Sequence, residues 1–391
     1  MSWNADIAYA FTPFKMFTLP MGIWPLQKYN TFSLVRSIVY CFILTAWMIM
    51  IFLEINFGSG NAYVQVDNFE VVISIILGLS KIVSFRLYAK NLTRNFSSAV
   101  DDYLTIDTEE KRTIMRRHAY MGRIMCFSIL SMAYVASTTF ILIPMIPMIA
   151  GDTEVQVNVT INDISEFPVA VTFLGEVHVS TSLYMLICML QYMGLVLTAT
   201  SNCGNDTFVL AITLHVCGQL ELLKIGFSNY GMKKGNENLS MLAARHRYLM
   251  ENAGLLVDAL SFVLLVQILL SCLIYSLMGF QLILALKTLD LVMIMKTTTV
   301  TSALMLEMFF YSIVGDYLKC QMEEIAYSIY SCNWYNFPLK LMRNVVFVIM
   351  RSQQPVQFVA GRFFVINLES FMTILKSSLS YLSVLRVMVD A

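Results

Sequence analysis

Lys81, Arg86, Glu307 and Lys376 each stand inside a stretch made otherwise of apolar side chains. A charge in such a setting has three uses: pairing with another buried charge, facing a water-filled path, or relaying ions and protons. The run NLESFMTILKSSLSYLSVLRVMV (367–389) adds a pattern. Glu369, Thr373, Lys376, Ser380, Ser383 or Val384, and Val387 recur at three-to-four spacing and draw one mainly polar stripe down an apolar helix. At membrane depth that stripe must face water, protein or both. Two readings stay open: small hydroxyl residues packing helix on helix, with Lys376 bonded to a neighbour, or the lining of a pore. Val384 and Val387 end the stripe with apolar side chains, which is the composition of a gate that closes by dewetting. One helix cannot line a pore, so the second reading implies several subunits around an axis.

Other chemistry finds little support. His118, His178, His215 and His246 are scattered, and the chain has no H-E-x-x-H, C-x-x-C, P-loop or nucleophile elbow. Each histidine reads as an interfacial or loop residue rather than a ligand or base. The cysteines lack zinc-ligand spacing, so neither a metal, a cofactor nor an enzyme is expected. Toward one end of the apolar segments, Ile76, Leu79, Ala136, Thr139, Phe140, Tyr184, Cys188, Met305 and Phe309 offer apolar surface with a few hydroxyl and sulfur groups. Together they suit a pocket for a small volatile molecule, although ordinary packing accounts for any one of them. Pro144 and Pro147 are placed to distort the helix beside that pocket.

The elements that position these residues follow from composition. Of 391 residues, 58% are hydrophobic and 13% charged, and mean hydropathy is +0.67. Lipid is the solvent such a chain requires, so it reads as an all-α, polytopic membrane protein in a lipid bilayer. Lys plus Arg and Asp plus Glu both number 26, and this balance recruits no nucleic acid. The N-terminus lacks the basic start, apolar run and small-residue site of a signal peptide. A helical span needs about 20 apolar residues. Seven segments qualify: 37–57 (S1), 71–87 (S2), 124–150 (S3), 181–200 (S4), 259–286 (S5), 291–314 (S6) and 363–389 (S7). The run 207–220 reads as S4 continuing past the membrane, and 345–350 as part of a buried helix outside it. I, L, M and F at helical spacing in 101–123 and 241–262 imply helices that extend beyond the bilayer and bundle there.

Orientation follows from Lys and Arg. The segment 91–123 carries Arg94, Lys111, Arg112, Arg116, Arg117 and Arg123, whereas 151–180 has no Lys or Arg, and its charges are Asp152, Glu154, Asp163, Glu166 and Glu176. The first is cytoplasmic and the second extracellular, which puts the N-terminus inside and the C-terminus outside. The chain then divides into a cytoplasmic N-terminal segment (1–36), S1–S6 with a pocket in their outer half (37–314), a cytoplasmic region (315–362), and S7 with an extracellular end (363–391). Of five glycosylation sequons only Asn158 falls outside; Asn91, Asn95, Asn205 and Asn238 should stay bare. No extracellular disulfide framework is expected, because every cysteine lies in a span or on the cytoplasmic side.

The stretch SIYSCNWYNFP (328–338) packs aromatics, a cysteine and a proline between two apolar segments. Cys332 has no partner at ligand spacing, and the orientation puts the stretch beyond the bilayer, so neither a metal site nor an interface belt fits. Tyr327, Tyr330, Trp334, Tyr335 and Phe337 read as packing residues there, with Pro338 ending one helix before the next.

With YSIVGDYL (311–318), AYSIYSCNWYNFP (326–338) and RSQQPVQFVAGRFFVINLESFMTILKSSLSYLSVLR (351–386), the chain resembles an insect odorant receptor. The resemblance implies a ligand-gated, non-selective cation channel on the plasma membrane of a sensory neuron dendrite. It further implies heterotetramers with the odorant receptor co-receptor, an anchor around Trp334 and Tyr335 where subunits meet, a pore lined by S7, Val384 at the gate, and an odorant pocket among S2, S3, S4 and S6. The segment between S4 and S5 is shorter than the co-receptor's enlarged loop, so the chain resembles a tuning subunit. SYLSVLRVM departs from the T-Y-(five apolar)-Q-F ending of gustatory relatives. Lys376 and Arg386 would repel cations if four copies ringed a pore, which favours a mixed tetramer or side chains turned aside. Two readings compete: a secondary transporter, motivated by the intramembrane charges but lacking a repeat, and a G-protein-coupled receptor, which needs the N-terminus outside.

Overall fold

A computed structural model describes residues 4–58, 62–150, 167–174, 180–230, 238–289 and 291–390. Ten α-helices run through them: α1 (Ala5–Thr18), α2 (Thr31–Phe57), α3 (Ala62–Leu87), α4 (Ala89–Leu104), α5 (Glu109–Ala150), α6 (Thr181–Asn229), α7 (Leu239–Thr288), α8 (Leu291–Tyr330), α9 (Leu339–Ser352) and α10 (Leu368–Asp390). A two-residue hairpin, β1 (Val359–Ala360) and β2 (Phe364–Val365), precedes α10. Side-chain oxygens of Asn4, Asn30, Ser180 and Asn238 cap the N-termini of α1, α2, α6 and α7 and take up amides that helix starts leave unpaired.

Six helices among the described residues are long and apolar enough to cross a membrane: Thr31–Phe57, Val64–Leu87, Glu109–Leu142, Ser182–Asn229, Leu239–Thr288 and Leu291–Tyr330. They coincide with S1–S6 but reach well beyond the hydropathy boundaries. At about 1.5 Å per residue, the 49 residues of α6 extend about 70 Å, more than twice the thickness of a hydrocarbon core. Residues 207–220 are therefore a continuation of S4, and every residue from 201 to 220 is buried. Helices α5 and α7 begin well ahead of S3 and S5, as the spacing in 101–123 and 241–262 implies, but the 101–123 stretch is broken once. α4 stops at Leu104, and α5 starts afresh at Glu109 after Thr108 Oγ1 accepts the Lys111 amide. S7 also shifts: residues 363–367 belong to β2 and a turn, and the helix begins at Leu368. The backbone of α5 stays helical through Pro144 and Pro147.

The main core lies where α5, α6 and α8 pack together, with α3 and α7 against them. The N-terminal segment is part of it. Ile7, Phe11 and Phe14 of α1, with Met21 and Trp24 after it, are at most 2% exposed and join Phe85, Phe96 and Phe208 in an aromatic cluster. Phe96 stacks on Phe208 at 4.3 Å, and Trp24 meets Phe96 edge-on at 5.7 Å. Gly22 turns this segment with φ +69°, and its carbonyl accepts from Arg86 and the Ser33 hydroxyl. Arg86 thus works as a clasp between the N-terminal turn and α3, with its guanidinium over the Tyr29 ring.

A second core joins the far ends of α6, α7 and α8 to α9, through Leu220, Phe227, Leu242, Met322, Ile325, Val345 and Val348. Helix α9 is amphipathic rather than wholly buried, because Val346, Phe347 and Met350 are exposed. Asp102 holds the same end together, pairing with Arg245 at 2.5 Å and His215 at 3.1 Å. His118, His215 and His246 are helical and buried, not interfacial or in loops; His178 lies outside the described residues. The long helices carry these rings inside the bundle, and His118 bonds Tyr317 and the Ile114 carbonyl there.

Phe208→Ala should open a hole in the aromatic cluster and cost about 3–5 kcal/mol. The expected outcome is a lower thermal midpoint of the purified chain and less protein at the cell surface; an unchanged midpoint would remove the cluster as a principal support.

Candidate functional site

A cavity of about 140 Å³ lies between α3, α5, α6, α7 and α8. That volume suits a molecule about the size of benzene or slightly larger. Each helix presents a face at helical spacing: Ala133, Ala136, Ser137 and Phe140 from α5, and Gln267, Ser271, Ile274 and Met278 from α7. Val300, Ala303, Leu304, Glu307 and Met308 of α8 close it, with Val71, Ser74 and Leu77 of α3 and Leu195, Thr198, Ala199 and Asn202 of α6 opposite. The space exists because Ala133, Ala136, Ala199, Ala303 and Ser74 are small where larger side chains would fill the bundle.

The cavity's inner wall adjoins a buried ion network. Lys81, fully buried on α3, reaches Asp206 of α6 at 2.5 Å and Glu307 of α8 at 3.3 Å. Tyr311 donates to the other Asp206 oxygen at 2.7 Å, and the Gln267 amide donates to Glu307. Four helices are thereby tied at one point, and the first contact of that network with the cavity is through Glu307 and Gln267. At the other end of the cavity, Asp67 pairs with Lys296 and accepts from Gln281, while Lys296 sits 3.7 Å above the Phe140 ring.

Of the nine residues read from sequence as a pocket, Ala136 and Phe140 line this cavity. Ile76 is 43% exposed and faces away, since the cavity face of α3 is set by Glu70, Ser74 and Leu77. Leu79 and Thr139 are half-buried elsewhere on their helices, and the Thr139 hydroxyl bonds the Val135 carbonyl. Tyr184 stacks on Phe167 at 4.6 Å, in the segment that Glu54 and Gln191 hold against the helices, and Cys188 is buried in the main core. Met305 and Phe309 lie on a shallower face of α8 shared with Phe371 of α10. The contribution of S5, here α7, was missed entirely, although its Gln267, Ser271 and Met278 repeat at helical spacing.

Helix α10 packs on α7 and α8. Its start is fixed twice: Asn367 and Ser370 cap each other's amides, and Asp316 of α8 accepts the Leu368 amide at 2.9 Å. Phe371, Ile374, Leu375 and Ser378 face the bundle, whereas Glu369, Thr373, Lys376, Ser380 and Ser383 are exposed. The polar stripe therefore turns away from its own subunit. The helix carries Val384 and Val387, whose side chains lie outside the described residues, as does Asn158. Near the second core, Tyr327, Tyr330 and Tyr335 are 75%, 62% and 62% exposed on the outside of the single chain. Trp334 is half-buried between Tyr330 and Tyr335, and Phe337 meets Tyr230 edge-on at 5.1 Å.

The family described as "7tm Odorant receptor" matches residues 61–379. The chain belongs to the odorant receptor family. It is accordingly a membrane receptor for small odorants that acts as a ligand-gated channel subunit, and not an enzyme. Odorant receptor 13a of Drosophila melanogaster is 22% identical and aligns over 96% of both chains. Odorant receptor 10 of Aedes albopictus is 20% identical over 90% of both. The insect olfactory receptor OR5 from Machilis hrabei, solved in complex with eugenol, superimposes with a TM-score of 0.76 at 14% identity, covering 97% of this chain and 99% of that one. The odorant receptor shares that fold.

Removing Lys81 alone leaves two buried carboxylates without their counter-charge. Lys81→Met should destabilise the receptor by about 3–5 kcal/mol, whereas the triple variant K81M/D206N/E307Q should recover much of that loss. Thermal unfolding of the three purified proteins decides this; equal stability of the single and triple variants would mean that the pairing contributes nothing.

Proposed function

We propose that this odorant receptor is the tuning subunit of a non-selective cation channel, assembled as a tetramer with the odorant receptor co-receptor in the dendritic plasma membrane of a sensory neuron. The N-terminus is cytoplasmic, the C-terminus and a glycosylated Asn158 are extracellular, and α10 is the seventh span. The odorant occupies the cavity between α3, α5, α6, α7 and α8, as eugenol is bound by the Machilis receptor of the same fold. The observation that carries the reading is the exposed polar face of α10, bare in the single chain and backed by a face that packs on α7 and α8. In the assembly that face, with Glu369, Thr373, Lys376, Ser380 and Ser383, borders the conduction path, and Val384 and Val387 form the gate. Tyr327, Tyr330, Trp334, Tyr335 and Phe337 belong to the joint between subunits.

The route from ligand to pore is short. Glu307 and Met308 line the cavity, and the next residue of α8, Phe309, meets Phe371 of α10 with ring centroids 5.7 Å apart. A ligand that fits the open arrangement better than the closed one shifts the gate by that difference, about tenfold for each 1.4 kcal/mol.

Recordings from cells expressing the chain with and without the co-receptor test this. Odorant-evoked cation current should require both subunits, and Phe140→Ala should raise the half-activating concentration by about tenfold. Val384→Ala should change basal current or ion permeation; saturable uptake without macroscopic current would replace the channel by a transporter. An N-terminal epitope tag should stain only after permeabilisation, and surface staining of intact cells would reverse the topology.

A further inference from the structure

Three polar side chains of the cavity wall, each at least nine-tenths buried, have oxygen atoms without a hydrogen-bond partner among the described residues. Asn202 donates its amide nitrogen to the carbonyls of Ser74 at 2.9 Å and Thr198 at 3.0 Å, which fixes its orientation and leaves Oδ1 open. Gln267 commits its amide nitrogen to Glu307 and leaves Oε1 open. Both carboxylate oxygens of Glu70, 4% exposed, are open, while the nearby cation Lys296 is engaged by Asp67. The hydroxyls of Ser137 and Thr198 already donate to the carbonyls of Ala133 and Gly194. Ser74 and Ser271 add rotatable hydroxyls that can donate or accept, so the groups of this wall whose role is fixed are the amide oxygens of Asn202 and Gln267. Whether or not Glu70 carries its proton, the amide oxygens of Asn202 and Gln267 can only accept.

We propose that this cavity selects small ligands that present a hydrogen-bond donor, a hydroxyl or an amino group, on an apolar body, over ligands of the same size that only accept or have no polar group. The inference rests on the reading of the cavity as the odorant site. A ligand without a donor that fills the cavity excludes water from these oxygens and leaves them unpaired, whereas a donor replaces the lost hydrogen bond. The penalty corresponds to about tenfold or more in affinity.

The test uses four molecules matched in number of non-hydrogen atoms: hexan-1-ol, hexan-1-amine, 1-methoxypentane and heptane. Half-activating concentrations are measured with the co-receptor present, and thermal stabilisation is measured on the purified full chain. The alcohol or the amine should act, and stabilise, at a concentration at least about tenfold below that of the ether and the alkane. In Glu70→Met and Gln267→Met the gap should shrink to about threefold or less, with the response to the ether retained. An ether as potent as the alcohol and the amine overturns the proposal, and so does a gap that survives unchanged in both variants. If no current is evoked but the alcohol or amine stabilises the chain and the ether does not, the selectivity stands and the channel reading fails. If no member of the set stabilises the chain, the selectivity itself is wrong.

Discussion

Lys81 is the point on which the bundle depends. A fully buried ammonium on α3 has no escape to water, so its two carboxylate partners fix where α6 and α8 must pass. Tyr311 completes Asp206, and Gln267 completes Glu307, which brings α7 into the same junction. Buried pairs of this kind contribute little net stability compared with apolar packing. What they contribute is register: a helix that slid by one turn would strand a charge. The cavity lies directly beside this junction, so its geometry is set by the same constraint that sets the helix positions.

Around that junction the molecule is organised by length. Helices α5, α6, α7 and α8 have 42, 49, 50 and 40 residues, all longer than a bilayer requires. The excess of α6, α7 and α8 forms a second core with α9, separate from the one that α1 and the Trp24 turn complete. Helix α8 runs without a break from the cavity wall to the end where Tyr327 and Tyr330 lie exposed.

Much of this was legible in the residues and some was not. The six long apolar helices and the polar stripe of α10 follow from hydropathy and spacing, whereas Pro338 starts α9 rather than ending α8, which stops at Tyr330. Helix ends were displaced because hydropathy reports the lipid boundary, whereas the chain stays helical beyond it. Residues 1–36 read only as a cytoplasmic N-terminal segment, yet Phe11, Phe14 and Trp24 are core residues, and the aromatic residues of that segment are the signal for it. The cavity was found only at Ala136 and Phe140, since which face of each helix turns inward is decided by its neighbours. The stretch YSIVGDYL gains a physical account: Tyr311 holds the ion network, Gly315 lets the hairpin backbone pass close to α8, and Asp316 caps α10.

The cap at Asp316 makes α10 a lever. Its first residues are fastened to α8 by side-chain and backbone bonds, and its 23 residues run on from there, with Glu369, Thr373, Lys376, Ser380 and Ser383 exposed. A rod of about 34 Å pinned at one end moves its tip by about 3 Å for a tilt of about 5°. That displacement is comparable to the diameter of a water molecule. A small angular change at the pinned end is therefore amplified toward the C-terminal end of α10.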